Sequence, residues 1–307
     1  MTPEILAILL MSLIAFSAQH TGWNLLLFPE LAALSYDVLC RPLGKWASQP
    51  LRLVLTPLLT ATAGLLVTQH LQYGVVSILL IFVVCLAILR LLRSQIAPAI
   101  SAGLLPLVLG EKSWFYPLAI SIGLVGLVAL LLVWKRYGEI GSGAAEVPEG
   151  NAIDEALEST SHDRFWLLHL LAFLTILGLA AQMTGARFLL FPPLVVMAFE
   201  LLGHPEIPQW ISRPALFPLA CILTASTGLV LELALGIHPL AIAITMAVSV
   251  LLLRAFRIHL PPALAVGLLP FVIPAPDYRY PLSVAIGTGV LTLWYIARAN
   301  RYRYPKV

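Results

Sequence analysis

The chain reads as twelve apolar segments separated by short polar gaps. In the first half they lie near 4–19, 23–40, 52–69, 73–92, 96–110 and 115–134. In the second half they lie near 165–182, 186–202, 215–234, 237–256, 260–274 and 280–298. In hydrocarbon every backbone N–H and C=O has to be paired within the chain, so such runs predict helices. A membrane β-barrel would show short stretches of alternating polarity instead. The second segment of each half carries an early proline, Pro29 or Pro192 with Pro193. The fifth is the anomaly: proline opens it and proline closes it, from Pro98 to Pro106 and from Pro262 to Pro270. About a dozen residues is too short for an ordinary span.

The pattern also repeats in detail. Pro98, Gly103, Pro106, Tyr116 and Pro117 match Pro262, Gly267, Pro270, Tyr280 and Pro281. Gln19-x-Thr21-Gly22 with Leu26-Leu27-Phe28-Pro29 matches Gln182-x-Thr184-Gly185 with Leu189-Leu190-Phe191-Pro192. Trp46-x-Ser48-x-Pro50 matches Trp210-x-Ser212-x-Pro214, and Thr60-Ala61-Thr62-Ala63-Gly64 matches Thr224-Ala225-Ser226-Thr227-Gly228. Asp37 matches Glu200, and Arg90 with Arg93 matches Arg254 with Arg257. The offset drifts only from 163 to 164, which predicts a tandem duplication. The expected organisation is a first transmembrane repeat over 1–137, an acidic solvated linker over 138–163 and a second repeat over 164–307. Twice-repeated short segments are the best sequence pointer to a functional centre in such proteins.

Composition agrees. The 307 residues are 60% apolar and 11% charged, with a mean hydropathy of +0.94; a soluble domain is about a quarter charged. The fold class predicted is all-α, a polytopic transmembrane helical bundle of two parallel repeats. The lipid bilayer is then the first partner, and a net charge of +3 points to no nucleic-acid surface. Positive residues gather at every second gap: Arg41, Lys45 and Arg52; Arg90 and Arg93; Lys135 and Arg136; then Arg254 and Arg257, and Arg298 onward. By the positive-inside rule this predicts six crossings per repeat, with both termini and the linker cytosolic, in a bacterial plasma membrane. No cleavage site follows residues 4–18, which read as a first span or an uncleaved signal-anchor. Cys40, Cys85 and Cys221 have no CxxC spacing and read as small core residues.

Nothing signals catalysis: there is no Ser/His/Asp order, HExxH, phosphate loop or dinucleotide fingerprint. The seven histidines have no i,i+4 pairing, so neither a metal site nor a cofactor is expected, and the chain is not read as an enzyme. Arg90 with Arg93, and Arg254 with Arg257, are three apart and expected on one helix face. They directly precede the fifth helices, whose N-terminal N–H groups and positive dipole end can join them in holding an anion. Anchoring to lipid phosphates is the alternative for these arginines. His259 adds a protonatable donor in the second copy only. Asp37 and Glu200 recur inside apolar segments and read as coupling groups or salt-bridge partners of the arginines. Glu30 and Glu232 have no acidic counterpart, and Glu232 is expected to face the interior or a cavity.

The small Thr/Ala/Gly runs and Ala119-x-x-x-Gly123 with Ser283-x-x-x-Gly287 read as close helix packing, in preference to lining a path. Gln19 and Gln182 are expected either to cap a helix or to polarise an entrance. Trp46 and Trp210 read as membrane-interface anchors.

These residues together resemble the HPP family of integral membrane proteins. The likeness rests on Phe-Pro opening a segment, a Pro-ended loop into a Thr/Gly-rich helix, and then Arg254, His259, Pro261, Pro262, Gly267 and Tyr280-Pro281-Leu282. Leu260 stands between the histidine and the prolines, and the first copy has Gln95-Ile96-Ala97-Pro98. The resemblance implies a few transmembrane helices per unit, functional weight on His259, Pro261 and Pro262, and a link to nitrite transport. The expected function is a transporter or channel for a small solute, such as an inorganic anion. Its site is expected between the fifth helices, drawing on Arg90, Arg93, Arg254, Arg257, His259, Pro98, Pro261, Pro262, Gly103 and Gly267. A non-transporting membrane scaffold is the alternative from another class, and a membrane-embedded enzyme is a third.

Overall fold

A computed structural model describes residues 2–137, 165–204 and 213–299. The linker over 138–163, Trp210 and the basic residues past 300 lie outside the described residues. Within them the chain is all helical: α1 (Pro3–Thr21), α2 (Pro29–Cys40), α3 (Pro50–His70), α4 (Val75–Leu91), α5 (Pro98–Leu109), α6 (Phe115–Tyr137), α7 (Trp166–Thr184), α8 (Pro192–Gly203), α9 (Leu216–Leu235), α10 (Pro239–Phe256), α11 (Pro262–Leu268) and α12 (Arg279–Ala299). Seven of these, α1, α3, α6, α7, α9, α10 and α12, are long and apolar enough to cross a membrane, as in an integral membrane protein. Their outward faces are apolar: Ile5, Leu9, Leu13 and Phe16 follow one stripe of α1, and Leu118, Ile122 and Val125 one stripe of α6.

Proline sets where the short helices begin. Each of α2, α5, α8 and α11 opens on a proline, whose fixed φ suits the first turn and whose missing N–H would have no helical partner there. The second segment of each half is therefore not one continuous helix. It opens with a 3-10 turn, Asn24–Leu26 or Arg187–Leu190, and Pro29 or Pro192 then restarts it. At 12 residues, α2, α5 and α8 are about 18 Å long, well short of the hydrocarbon core of a bilayer. The fifth segment of the second half divides again, α11 passing into a 3-10 turn over Leu269–Val272 that contains Pro270. In the first half α5 runs on through Pro106 to Leu109.

Within each half one helix is the hub. α3 packs on α4, α5 and α6, and α9 packs on α10, α11 and α12. The approach of α3 to α5 is backbone to backbone: a Cβ on Gly64 would lie 1.8 Å from the Gly103 carbonyl oxygen. Gly228 meets the Gly267 carbonyl oxygen at the same 1.8 Å. Small residues here serve close packing, and the buried Thr60 and Thr224 turn their hydroxyls back onto their own helices. Likewise a Cβ on Gly123 would strike Leu31, and one on Gly287 would strike Leu194, so α6 beds on α2 and α12 on α8.

Between the halves the packing is reciprocal. α1 lies against α10 and α7 against α4; α2 lies against α11 and α8 against α5. α2 also touches α5, and α8 touches α11, so the four short helices form the centre of the molecule. Every residue of α11 is buried, as is every residue of α5 except Leu109. Two faces follow from the contacts. Trp46 reaches Gln95, Arg52 reaches Arg93, Lys135 reaches Ala47 and Glu4 reaches Arg254, which gathers the arginine-rich turns on one face, here termed the basic face. Gln69 meets Lys112 and Tyr73 meets Arg187 at the opposite face.

Candidate functional site

The ionisable residues of α2 line up along it. Glu30 and Asp37 are seven residues apart, two turns and about 10 Å, and Arg41 caps the same helix one turn further on. Asp37, 3% exposed, accepts from the guanidinium of Arg41 through Nε at 3.1 Å and through Nη2. His259 Nε2 from the second half stands 3.6 Å from the same carboxylate oxygen. It reaches Asp37 because it directly precedes α11, which lies against α2. Nearby, Arg254 at the end of α10 pairs with Glu4 in the first turn of α1. Both ties are at the basic face, and both join the first two helices of the first half to the fourth and fifth segments of the second.

The arginine pairs expected on one helix face are not arranged so. α4 ends at Leu91 and α10 at Phe256, and Arg93 and Arg257 lie beyond them in left-handed backbone, φ 49° and 52°. The Arg257 N–H closes the end of α10 onto the carbonyls of Leu253 and Arg254. Arg90, Arg93 and Arg257 are exposed at the basic face, while Arg254 has its carboxylate partner.

The expected anion cradle at the fifth helices is also filled from within. Ala99 and Ile100 give their N–H groups to the carbonyls of Ile96 and Ala97, and Ala263 and Leu264 give theirs to Leu260 and Pro261. The orphan donors of a helix start are thus taken up by the preceding turn. Pro98, Pro261 and Pro262 are buried, and Gly103 and Gly267 are packing contacts, the first wedged against α3 and α4 and the second against α9 and α10.

Glu200, the counterpart of Asp37, is half-buried on α8, and the His204 N–H closes that helix onto its carbonyl. Trp46 is not a lipid-interface anchor: it is buried, and its indole N–H donates to the Gln95 carbonyl at 3.1 Å between α4 and α5. Arg298 is likewise drawn inside, 3% exposed, and donates to the Leu202 carbonyl at 2.6 Å at the C-terminus of α8, where a cation suits the helix dipole.

At the opposite face a cavity of about 350 Å³ opens between the halves, with Thr68, Gln72, Tyr73, Lys112, Gln182 and Arg187 in its wall. Gln182 both lines the cavity and caps a helix: its Oε1 accepts from the Val75 N–H, at the start of α4, at 3.1 Å. Tyr73 donates to the Arg187 carbonyl at 3.1 Å, and the Arg187 guanidinium lies 5.3 Å from the centre of the Tyr73 ring. These ties join α4 to the start of the second half. The α1/α10 junction is therefore tied at the basic face, and the α4/α7 junction at the opposite one.

Deeper in, Glu30 is 2% exposed, and Ser101 Oγ of α5 donates to its Oε1. Its other oxygen has no hydrogen-bond partner among the described residues. Glu232 is half-buried one turn from the end of α9, with one oxygen in the same condition. Among the described residues no three His, Cys, Asp or Glu side chains gather as a metal site would require. Sequence reasoning passed over Ser101, Lys112 and Arg187, and it did not link Glu4 with Arg254. Only the three-dimensional packing of the helices, within the first half for Ser101 and between the halves for Glu4 and Arg254, unites these groups with their partners. No protein-family model, curated protein or solved structure matches this chain.

Proposed function

We propose that this protein is a membrane transporter or channel for a small solute, with inorganic anions such as nitrite as the solute class. The observation that carries the reading is the packing of four proline-started helices, too short to span, at the junction of the two halves. Interrupted helices meeting near the midplane are the structural currency of solute sites in transporters. In this reading the halves are parallel repeats, the basic face is cytosolic, and the solute path follows the junction lined by α2, α5, α8 and α11. Exposed cationic groups at both faces support the reading: Arg90, Arg93 and Arg257 at the basic face, and Lys112 and Arg187 at the opposite one. Ties at opposite faces of the two junctions give the halves a way to open one side while the other stays closed. Kinship with the HPP family belongs to the same proposal.

The fully packed short helices favour a second reading, a non-transporting membrane scaffold. Reconstitution separates the two. Purified protein in liposomes is expected to take up nitrite, nitrate or chloride above empty vesicles, with uptake reduced at least several-fold by Arg187→Gln or Arg90→Gln. Absence of uptake of all three by folded, reconstituted protein leaves the scaffold.

A further inference from the structure

The buried carboxyl of Glu30 is the least satisfied charged group in the centre of the molecule, and we propose that it is a proton-binding site. It sits in the first turn of α2, where that helix meets α5. The transport reading enters only in what the proton is coupled to; the site itself stands on the geometry below.

Consider the ionised state. One oxygen accepts from Ser101 and the other from nothing among the described residues. No lysine, arginine or histidine pairs with it there. A carboxylate held out of water with so few donors and no cationic partner is strongly disfavoured. The neutral acid avoids most of that cost. Two features keep the anion accessible: the Ser101 hydroxyl, and the positive end of the α2 dipole, where Glu30 is second in the helix. Neither state is fully satisfied, so a proton can both bind and leave. An ionisable group at such depth is a functional candidate by default.

The surroundings contain no competing titration. α2 packs on α1, α5, α6 and α11. Neither α5 nor α11 has a titratable side chain. In α1 the only ones are Glu4, paired with Arg254 near the other end of α2, and His20, exposed at the end of α1 that leads into α2 and bonded to the Phe16 carbonyl. In α6, Tyr116 is within electrostatic range of Glu30, and its hydroxyl is committed to the Ala102 carbonyl at 2.6 Å; Lys135, Arg136 and Tyr137 are at the other end of the helix. Tyr280 of α12 is within range too and is committed likewise, to Val266. On α2 itself the nearest charged group is Asp37, two turns on and already held by Arg41 and His259. The matched places in the second half hold Pro193 and Ala265, so the site occurs in one half only.

Dicyclohexylcarbodiimide tests the proposal without requiring transport, because it enters apolar interiors and reacts with protonated carboxyls. The carboxyl oxygen bonds to the central carbodiimide carbon and the proton passes to a nitrogen; acyl transfer to nitrogen then leaves a stable adduct retaining the whole reagent. Intact protein in membranes is expected to gain an adduct at Glu30, mapped by mass spectrometry and scored separately from any at Glu232. Its rate should rise several-fold as pH falls and vanish in E30Q. The variant S101A keeps the carboxyl but loses its donor, and is expected to label several-fold faster at a given pH. Absence of the adduct at every pH overturns the proposal, provided the unfolded chain reacts at Glu30. So does labelling suppressed by sodium at constant pH, which would make the site one for a metal cation. An adduct at Glu30 in protein that carries no solute keeps the proton site and refutes the transport reading alone.

Discussion

The hydroxyl of Tyr280 donates to the carbonyl of Val266 at 2.6 Å, the acceptor left open because Pro270, four residues on, has no N–H. Tyr116 does the same for Ala102, opposite Pro106, also at 2.6 Å. A side chain from the next helix thus replaces the backbone bond that proline removes, in a buried setting where an unpaired carbonyl is expensive. Tyr280→Phe is expected to destabilise the protein by about 1–3 kcal/mol, as lowered thermal stability in detergent. In a Pro270→Ala background, which restores the N–H, the same change should cost much less, and a double-mutant cycle reads the difference.

The glycine contacts give a second expectation with internal controls. Gly64→Ala and Gly228→Ala would drive a methyl into a backbone carbonyl at 1.8 Å, and neither helix backbone can move without disturbing the core. Each should cost about 3 kcal/mol or prevent folding. Gly126 and Gly289 also lie in helices, but a Cβ there meets nothing within 4 Å. Alanine at either is expected to be neutral, or stabilising by about 0.5–1 kcal/mol. Thermal melts of the four variants side by side check the ordering.

At the basic face the groups around Asp37 are unequal. Asp37→Ala strips the partner from Arg41 and His259 together in a buried place, and should cost about 3–5 kcal/mol. His259→Ala leaves the Arg41–Asp37 pair intact and should cost well under half as much. The Glu4–Arg254 pair is more than half exposed on its arginine side, so Glu4→Gln should change stability by no more than about 1 kcal/mol. Denaturation in the same detergent ranks the three; equal losses for Asp37→Ala and His259→Ala would show that Arg41 gives Asp37 nothing.

Much of the architecture was legible because apolar length and proline punctuation act locally. The segment near 52–69 is α3 (Pro50–His70) and that near 237–256 is α10 (Pro239–Phe256). The early Pro29 and Pro192 were visible, but not that each restarts its segment after a 3-10 turn, since that depends on how Leu27 and Phe28 are buried below the turn. The recurrence of Tyr-Pro after the short helices was plain, while its purpose required the tyrosine at the start of α6 to reach the Ala102 carbonyl of α5. Charge was the least readable signal. A lysine or arginine near a helix end looks the same in sequence whether it lies in a solvated cytosolic gap, as expected of Arg298, or closes a buried helix end, as it does. The Glu30–Ser101 contact joins residues 71 apart in the chain, with nothing in the local pattern of either to foretell it.

The central claim is that the two halves move against each other to pass a small anion, and one flux measurement bears on it most directly. With Cys40, Cys85 and Cys221 replaced by alanine, Glu4→Cys and Arg254→Cys allow α1 and α10 to be joined across the basic face by a reducible thiol cross-linker. Nitrite uptake is then followed in proteoliposomes before cross-linking, after it and after reduction. The account predicts uptake that falls to the level of empty vesicles on cross-linking and returns on reduction. Undiminished uptake by fully cross-linked protein, or no uptake before cross-linking, would contradict it.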